Sequence, residues 1–107
     1  MNVNYGFLQD CIDNFGQVEG KALWERANDV FEFLPISALI DNQILCIHGG
    51  IGNSINSLDD LRGIKKPIVV PSEITDTTTR TDRIVLDALW SDPTDNDMCL
   101  GVLPTSH

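Results

Sequence analysis

Ile44-Leu45-Cys46-Ile47-His48-Gly49-Gly50 is the stretch around which the rest of this chain is organised. Four consecutive apolar residues bounded by turn residues predict a strand buried on both faces. The strand ends in a histidine, whose backbone it holds while the imidazole can point into a cleft. Two glycines follow, which permit a sharp turn and let a ligand approach bare backbone. A plainer account has the histidine satisfied by a neighbouring hydrogen bond ahead of an ordinary Gly-Gly turn. One imidazole does not make a metal site, so the chemistry depends on what the chain places around His48.

Immediately upstream, Ser37-Ala38-Leu39-Ile40 and then Asp41-Asn42 predict the other arm of a hairpin. Asp and Asn tolerate left-handed backbone angles and suit a tight turn between antiparallel strands. Farther upstream, Phe7, Leu8, Cys11, Ile12 and Phe15 recur at helical spacing, with Asn4 as the expected cap and Gly16 as the stop. A second helix is expected from about Lys21 to Phe33, on the spacing of Leu23, Trp24, Ala27, Val30 and Phe31, closed by Pro35. Both helices read as core-packing elements, with Trp24 a large core anchor. Downstream, Ser57 is placed to cap a short helix through Leu58, Leu61 and Ile64, ended by Lys65-Lys66-Pro67. Residues 71–82 are polar and threonine-rich and read as an exposed loop. A last helix spans Ile84 to Trp90 and breaks at Ser91-Asp92-Pro93, with irregular chain expected after Thr94.

Composition narrows the classes. A net charge of −9 on 107 residues leaves little to neutralise phosphates, which argues against nucleic acid and against an anionic membrane surface. No apolar run approaches the roughly 20 residues that span a bilayer, and the N-terminus lacks a basic-plus-apolar signal segment. Cys11, Cys46 and Cys99 are odd in number and far apart. Two of them sit in apolar segments, so buried thiols in a reducing compartment, cytoplasmic and/or nuclear, are expected rather than disulfides.

Four blocks then stand in order: Tyr5-Gly6-Phe7, Leu34-Pro35-Ile36 with Ala38, Ile47-His48-Gly49-Gly50-Ile51, and Leu89-Trp90-Ser91-Asp92-Pro93. Together they resemble the middle of a metal-dependent serine/threonine phosphoprotein phosphatase, the family of the type 1, type 2A and calcineurin catalytic subunits. The wording around them, Gly-Gly-Ile-Gly with Ser54-Ile55-Asn56 and Asp92-Pro93-Thr94-Asp95-Asn96-Asp97, is most similar to the branch whose phosphatase domain follows kelch repeats. The resemblance implies an α/β fold, with residues 1–107 a central segment of a calcineurin-like αβ-sandwich.

The same resemblance implies hydrolysis of phosphoserine or phosphothreonine by two divalent ions (Mn, Fe, Zn or Mg) about 3.5–4 Å apart, which acidify a water between them. It makes His48 a metal ligand and places Tyr5, Trp90 and Asp92 along the substrate groove. Each of those three also has an ordinary structural account: an amphipathic tyrosine at a helix start, a core tryptophan, an Asp-Pro turn. The partners implied are phosphoprotein substrates, with regulatory subunits or a kelch domain in cis.

The departures are as informative. The family's motifs of the forms GDxHG, GDxVDRG and GNHE are absent, as are its later arginine, histidine ligands and tyrosine. No catalytic residue is therefore expected in this segment, and the chain by itself is expected to be inactive. The alternative is a truncated, non-catalytic interaction module built from the same fold.

Overall fold

The computed structural model describes residues 2–93 and 103–104. Two compact units are present, Met1–Leu34 with Lys66–Ile68, and Pro35–Lys65 with Val69–His107.

The first unit is a pair of helices, α1 (Phe7–Phe15) and α2 (Gln17–Phe31). The cap of α1 is Gly6, not Asn4: the chain enters through a left-handed residue, φ 92°, and no side chain caps the helix. The second helix begins at Gln17, four residues earlier than expected. An interior glycine disfavours a helix by about 1 kcal/mol, and the earlier start takes Gly20 into the helix. Gly20 is buried against the backbone of Cys11 and Ile12, and this close approach of α1 offsets that cost.

Trp24 is half-buried rather than a core anchor. Its indole N–H donates to Asn2 Oδ1 at 2.9 Å, Asn2 donates to Asn28 at 2.7 Å, and Asn28 donates back to the Trp24 carbonyl at 2.7 Å. Phe7 and Phe31 meet at 5.8 Å between ring centroids. Phe15, Val18, Val30 and Phe33 are exposed. The expectation that both helices bury their apolar faces is thus corrected: in each helix one residue is buried, Cys11 in α1 and Gly20 in α2.

The second unit holds the hairpin, β1 (Ser37–Ile40) against β2 (Ile44–Ile47), paired Ser37 to Ile47 through Ile40 to Ile44. Asp41 and Asn42 take φ of 50° and 52°, as the tight turn requires. The helices that follow are α3 (Leu58–Arg62) and α4 (Arg80–Trp90). The core is Ile55, Leu61, Ile84 and Ala88, with Ile36, Leu45, Ile47 and Ile64 packed on it, and Val85 wholly buried. Helices and sheet in one chain make the class mixed α/β, as expected.

The hairpin itself departs from expectation. Leu45 and Ile47 face the core, while Ile44 and Cys46 are exposed. Side chains alternate along a strand, and α3 and α4 supply apolar cover for one face. Cys46 is therefore an exposed thiol rather than the buried one expected, whereas Cys11 is buried. Cys99 lies outside the described residues.

Residues 80–82, expected in a loop, open α4. Thr79 Oγ1 accepts from the Asp82 N–H at 3.1 Å, and Asp82 accepts from the Thr79 N–H at 2.9 Å. This reciprocal pair satisfies two of the free amides at a helix start. Ser57 and Asp60 do the same work for α3, which ends at Arg62, capped by Gly63, rather than reaching Ile64. After α4 the chain enters a two-residue strand, β3 (Ser91–Asp92), paired with β4 (Leu103–Pro104). The irregular chain expected after Thr94 lies otherwise outside the described residues.

The two capping carboxylates set an acid limit on helix stability. The Asn56 N–H holds the Asp60 carboxyl below its ordinary value against the opposing effect of burial, with Arg80 and the Ser57 N–H adding to the depression. Hydrogen bonds from Thr79 do the same for Asp82. A carboxyl depressed in the folded state contributes stability above its unfolded value, near 3.8, and loses it as pH falls through the folded value. Helicity of α3 and α4 is expected to hold at pH 5 and fall below pH 4, whereas Asp60→Asn, with no carboxyl there to protonate, should be less helical already at pH 5 and show a smaller acid drop. An acid titration by circular dichroism, flat to pH 2 in both proteins, would contradict this.

Candidate functional site

His48 follows β2 directly and is exposed. The strand's register fixes its backbone, and the next residue anchors it: the Gly49 N–H donates to the Ala88 carbonyl at 2.8 Å. Gly49 lies so close to the end of α4 that a Cβ there would stand 2.8 Å from backbone atoms of Leu89, Trp90 and Ser91. Real Cβ atoms essentially never come so near, so only glycine fits without a shift. The tertiary structure thereby sets the His48-Gly49-Gly50 turn against the Trp90-Ser91-Asp92 segment, 40 residues on in the chain.

A second anchor lies at the far end of the same loop. Asp87, on the last turns of α4, accepts from the Ser54 N–H at 3.0 Å and from the Ser54 hydroxyl. Ser91, 3% exposed, directs its hydroxyl to the other Asp87 oxygen at 3.5 Å. Gly52 packs so tightly on this carboxylate that a side chain there would overlap it. Neither Asp87 nor Ser54 stood out as a site residue in the sequence. The signal was an acid between Leu86 and Ala88, in a helix otherwise read for its apolar face.

Of the residues the resemblance singled out, Trp90 and Asp92 belong to the segment that the Gly49 contact brings beside His48. Trp90 is half-buried and Asp92 exposed. Tyr5 belongs to the first unit, ahead of α1, and is 65% exposed. Asp92 lies in a strand rather than in an Asp-Pro turn.

An exposed imidazole on a fixed backbone suits one coordination position. Among the described residues, no group of three or more His, Cys, Asp and Glu side chains could hold a metal ion. The described residues thus fit the contribution of one ligand and do not by themselves hold a metal pair. No helix among them is long and apolar enough to cross a membrane.

Comparison with known proteins bears directly on this arrangement. Residues 5–107 match the family model described as calcineurin-like phosphoesterase. The serine/threonine-protein phosphatase BSL2 of Arabidopsis thaliana is 38% identical over 107 residues, all of this chain. The chain spans 10% of that relative's length.

Proposed function

The chain belongs to the calcineurin-like phosphoesterase family, and from that premise we propose that it serves in the catalytic domain of a serine/threonine phosphoprotein phosphatase, with His48 as one metal ligand. The observation that carries the reading is the seating of Gly49 on the backbone of Leu89–Ser91. That contact sets an exposed imidazole beside Trp90 and Asp92, the segment the resemblance assigns to the substrate groove.

A divalent metal pair, when bound, supplies an acidified water and positive charge for the phosphoryl oxygens. In this reading the chain's own contribution is positional. Strand β2 and the Gly49 hydrogen bond hold the imidazole, while Trp90 and Asp92 line the groove on the same unit. Phosphoprotein substrates are the partners this reading implies, with regulatory subunits or a kelch domain in cis; Mn, Fe, Zn and Mg are the candidate ions.

The test is a paired assay. The 107-residue polypeptide alone is expected not to hydrolyse p-nitrophenyl phosphate or a phosphoserine peptide, and to bind ANS at its exposed apolar residues. Placed in BSL2 in exchange for the matching segment, it is expected to support metal-dependent hydrolysis. Turnover by the isolated polypeptide above a His48→Ala control would overturn the first expectation. A folded exchange protein that binds phosphopeptide without hydrolysing it would favour a non-catalytic interaction module.

A further inference from the structure

We infer that Asp87 is a positioning residue for His48, because its one carboxylate ties the loop that leaves His48 to the strand that carries Asp92. The inference rests on the reading of His48 as a metal ligand.

The His48–Ser54 loop is held at both ends by the same two turns of α4. Near its start the Gly49 N–H reaches the Ala88 carbonyl; at its end the Ser54 N–H and hydroxyl reach Asp87 Oδ2. The Ser91 hydroxyl approaches Oδ1, and the Gly52 backbone lies against the carboxylate itself. Three donors from two chain segments thus converge on an acceptor with two oxygens and no proton to give. Bonds to an ionised acceptor are about twice as strong as neutral ones, which suits Asp87 to hold a loop lacking regular secondary structure. An asparagine at 87 would keep one acceptor oxygen and point a donor at the other segment. Through Ser54 and Gly52 the carboxylate sets where the loop runs, and through the loop the orientation of the imidazole, without contact between Asp87 and a metal.

The test uses BSL2 carrying this chain and measures Mn²⁺ affinity, kcat and KM, and the thermal midpoint. Asp87→Ala is expected to weaken Mn²⁺ binding ~10–100-fold, the effect usual for groups that orient a ligand without being one. The phosphopeptide KM should stay put, and excess Mn²⁺ should restore kcat. Asp87→Asn, which keeps one acceptor, should fall between. Val85→Ala, a cavity in the same helix at a wholly buried residue, should lower the thermal midpoint at least as far with Mn²⁺ affinity unchanged.

Unaltered Mn²⁺ affinity in Asp87→Ala, or an equal loss in Val85→Ala, overturns the inference. Should Asp87→Ala fail to fold, Ser54→Ala removes one donor and carries the test, with a smaller weakening expected and none overturning it. His48→Ala separates the two levels. If it leaves Mn²⁺ affinity intact, the metal-ligand reading itself fails; if it weakens binding while the Asp87 variants do not, only the positioning role fails.

Discussion

Replacing His48 by alanine is expected to lower metal-dependent turnover by at least ~100-fold in BSL2 carrying this chain, beyond the loss usual for an outer-shell partner. In free energy that is about 2.7 kcal/mol of lost transition-state stabilisation. The side chain is exposed, and among the described residues it makes no bond that holds β2 in place: the register is carried by the hairpin pairing and the seat by the Gly49 amide. The thermal midpoint should therefore move little, since exposed substitutions away from such features usually change stability by under about 0.5 kcal/mol. That combination, a large loss of turnover at constant stability, is what a ligand role requires. Measuring kcat/KM across a Mn²⁺ titration alongside thermal melts checks it, and turnover within threefold of the unmutated protein would remove His48 from the site.

Gly49→Ala should show the opposite signature, with stability and turnover falling together. The added methyl would stand 2.8 Å from three backbone atoms of Leu89, Trp90 and Ser91. Backbone has no rotamer by which to move aside, so either the loop lifts or the end of α4 shifts. Overpacking of this kind costs about 1–3 kcal/mol, and lifting the loop stretches the bond from Gly49 to Ala88, worth about 1 kcal/mol more. The imidazole would move with its neighbour. Ile51→Ala is the control two residues away, at an exposed position, and should leave both quantities nearly unchanged. A Gly49→Ala protein with a normal melt and normal turnover would show that the close approach does not organise the site.

The hairpin, its turn and all four helices were legible because their signals are local. A period of 3.6 or 2 in the apolar residues, Asp41-Asn42 at positive φ, and Ser57 at a helix start are each decided within a few residues of chain. The start of α4 was legible too, had Thr79 and Asp82 been weighed as a reciprocal cap instead of as members of a threonine-rich loop. The early start of α2 is the complementary case: the penalty of its Gly20 is local, while the close approach of α1 that offsets it is not.

What lies on each face of β2 could not be settled in this way. The apolar run Ile44–Ile47 is the same string whether it is covered on one side or on two; only packing shows that Leu45 and Ile47 meet α3 and α4 while Ile44 and Cys46 do not. The same holds at the site. The family resemblance read from the sequence marked His48, Tyr5, Trp90 and Asp92, since residue type and order suffice to match a motif. It was silent on Asp87, because a carboxylate that accepts from Ser54, 33 residues away, carries no mark of that partner in its own neighbourhood. Hydrogen bonds and close backbone contacts act over about 3 Å of space, whatever the length of chain between them, so they exist only once the chain has folded.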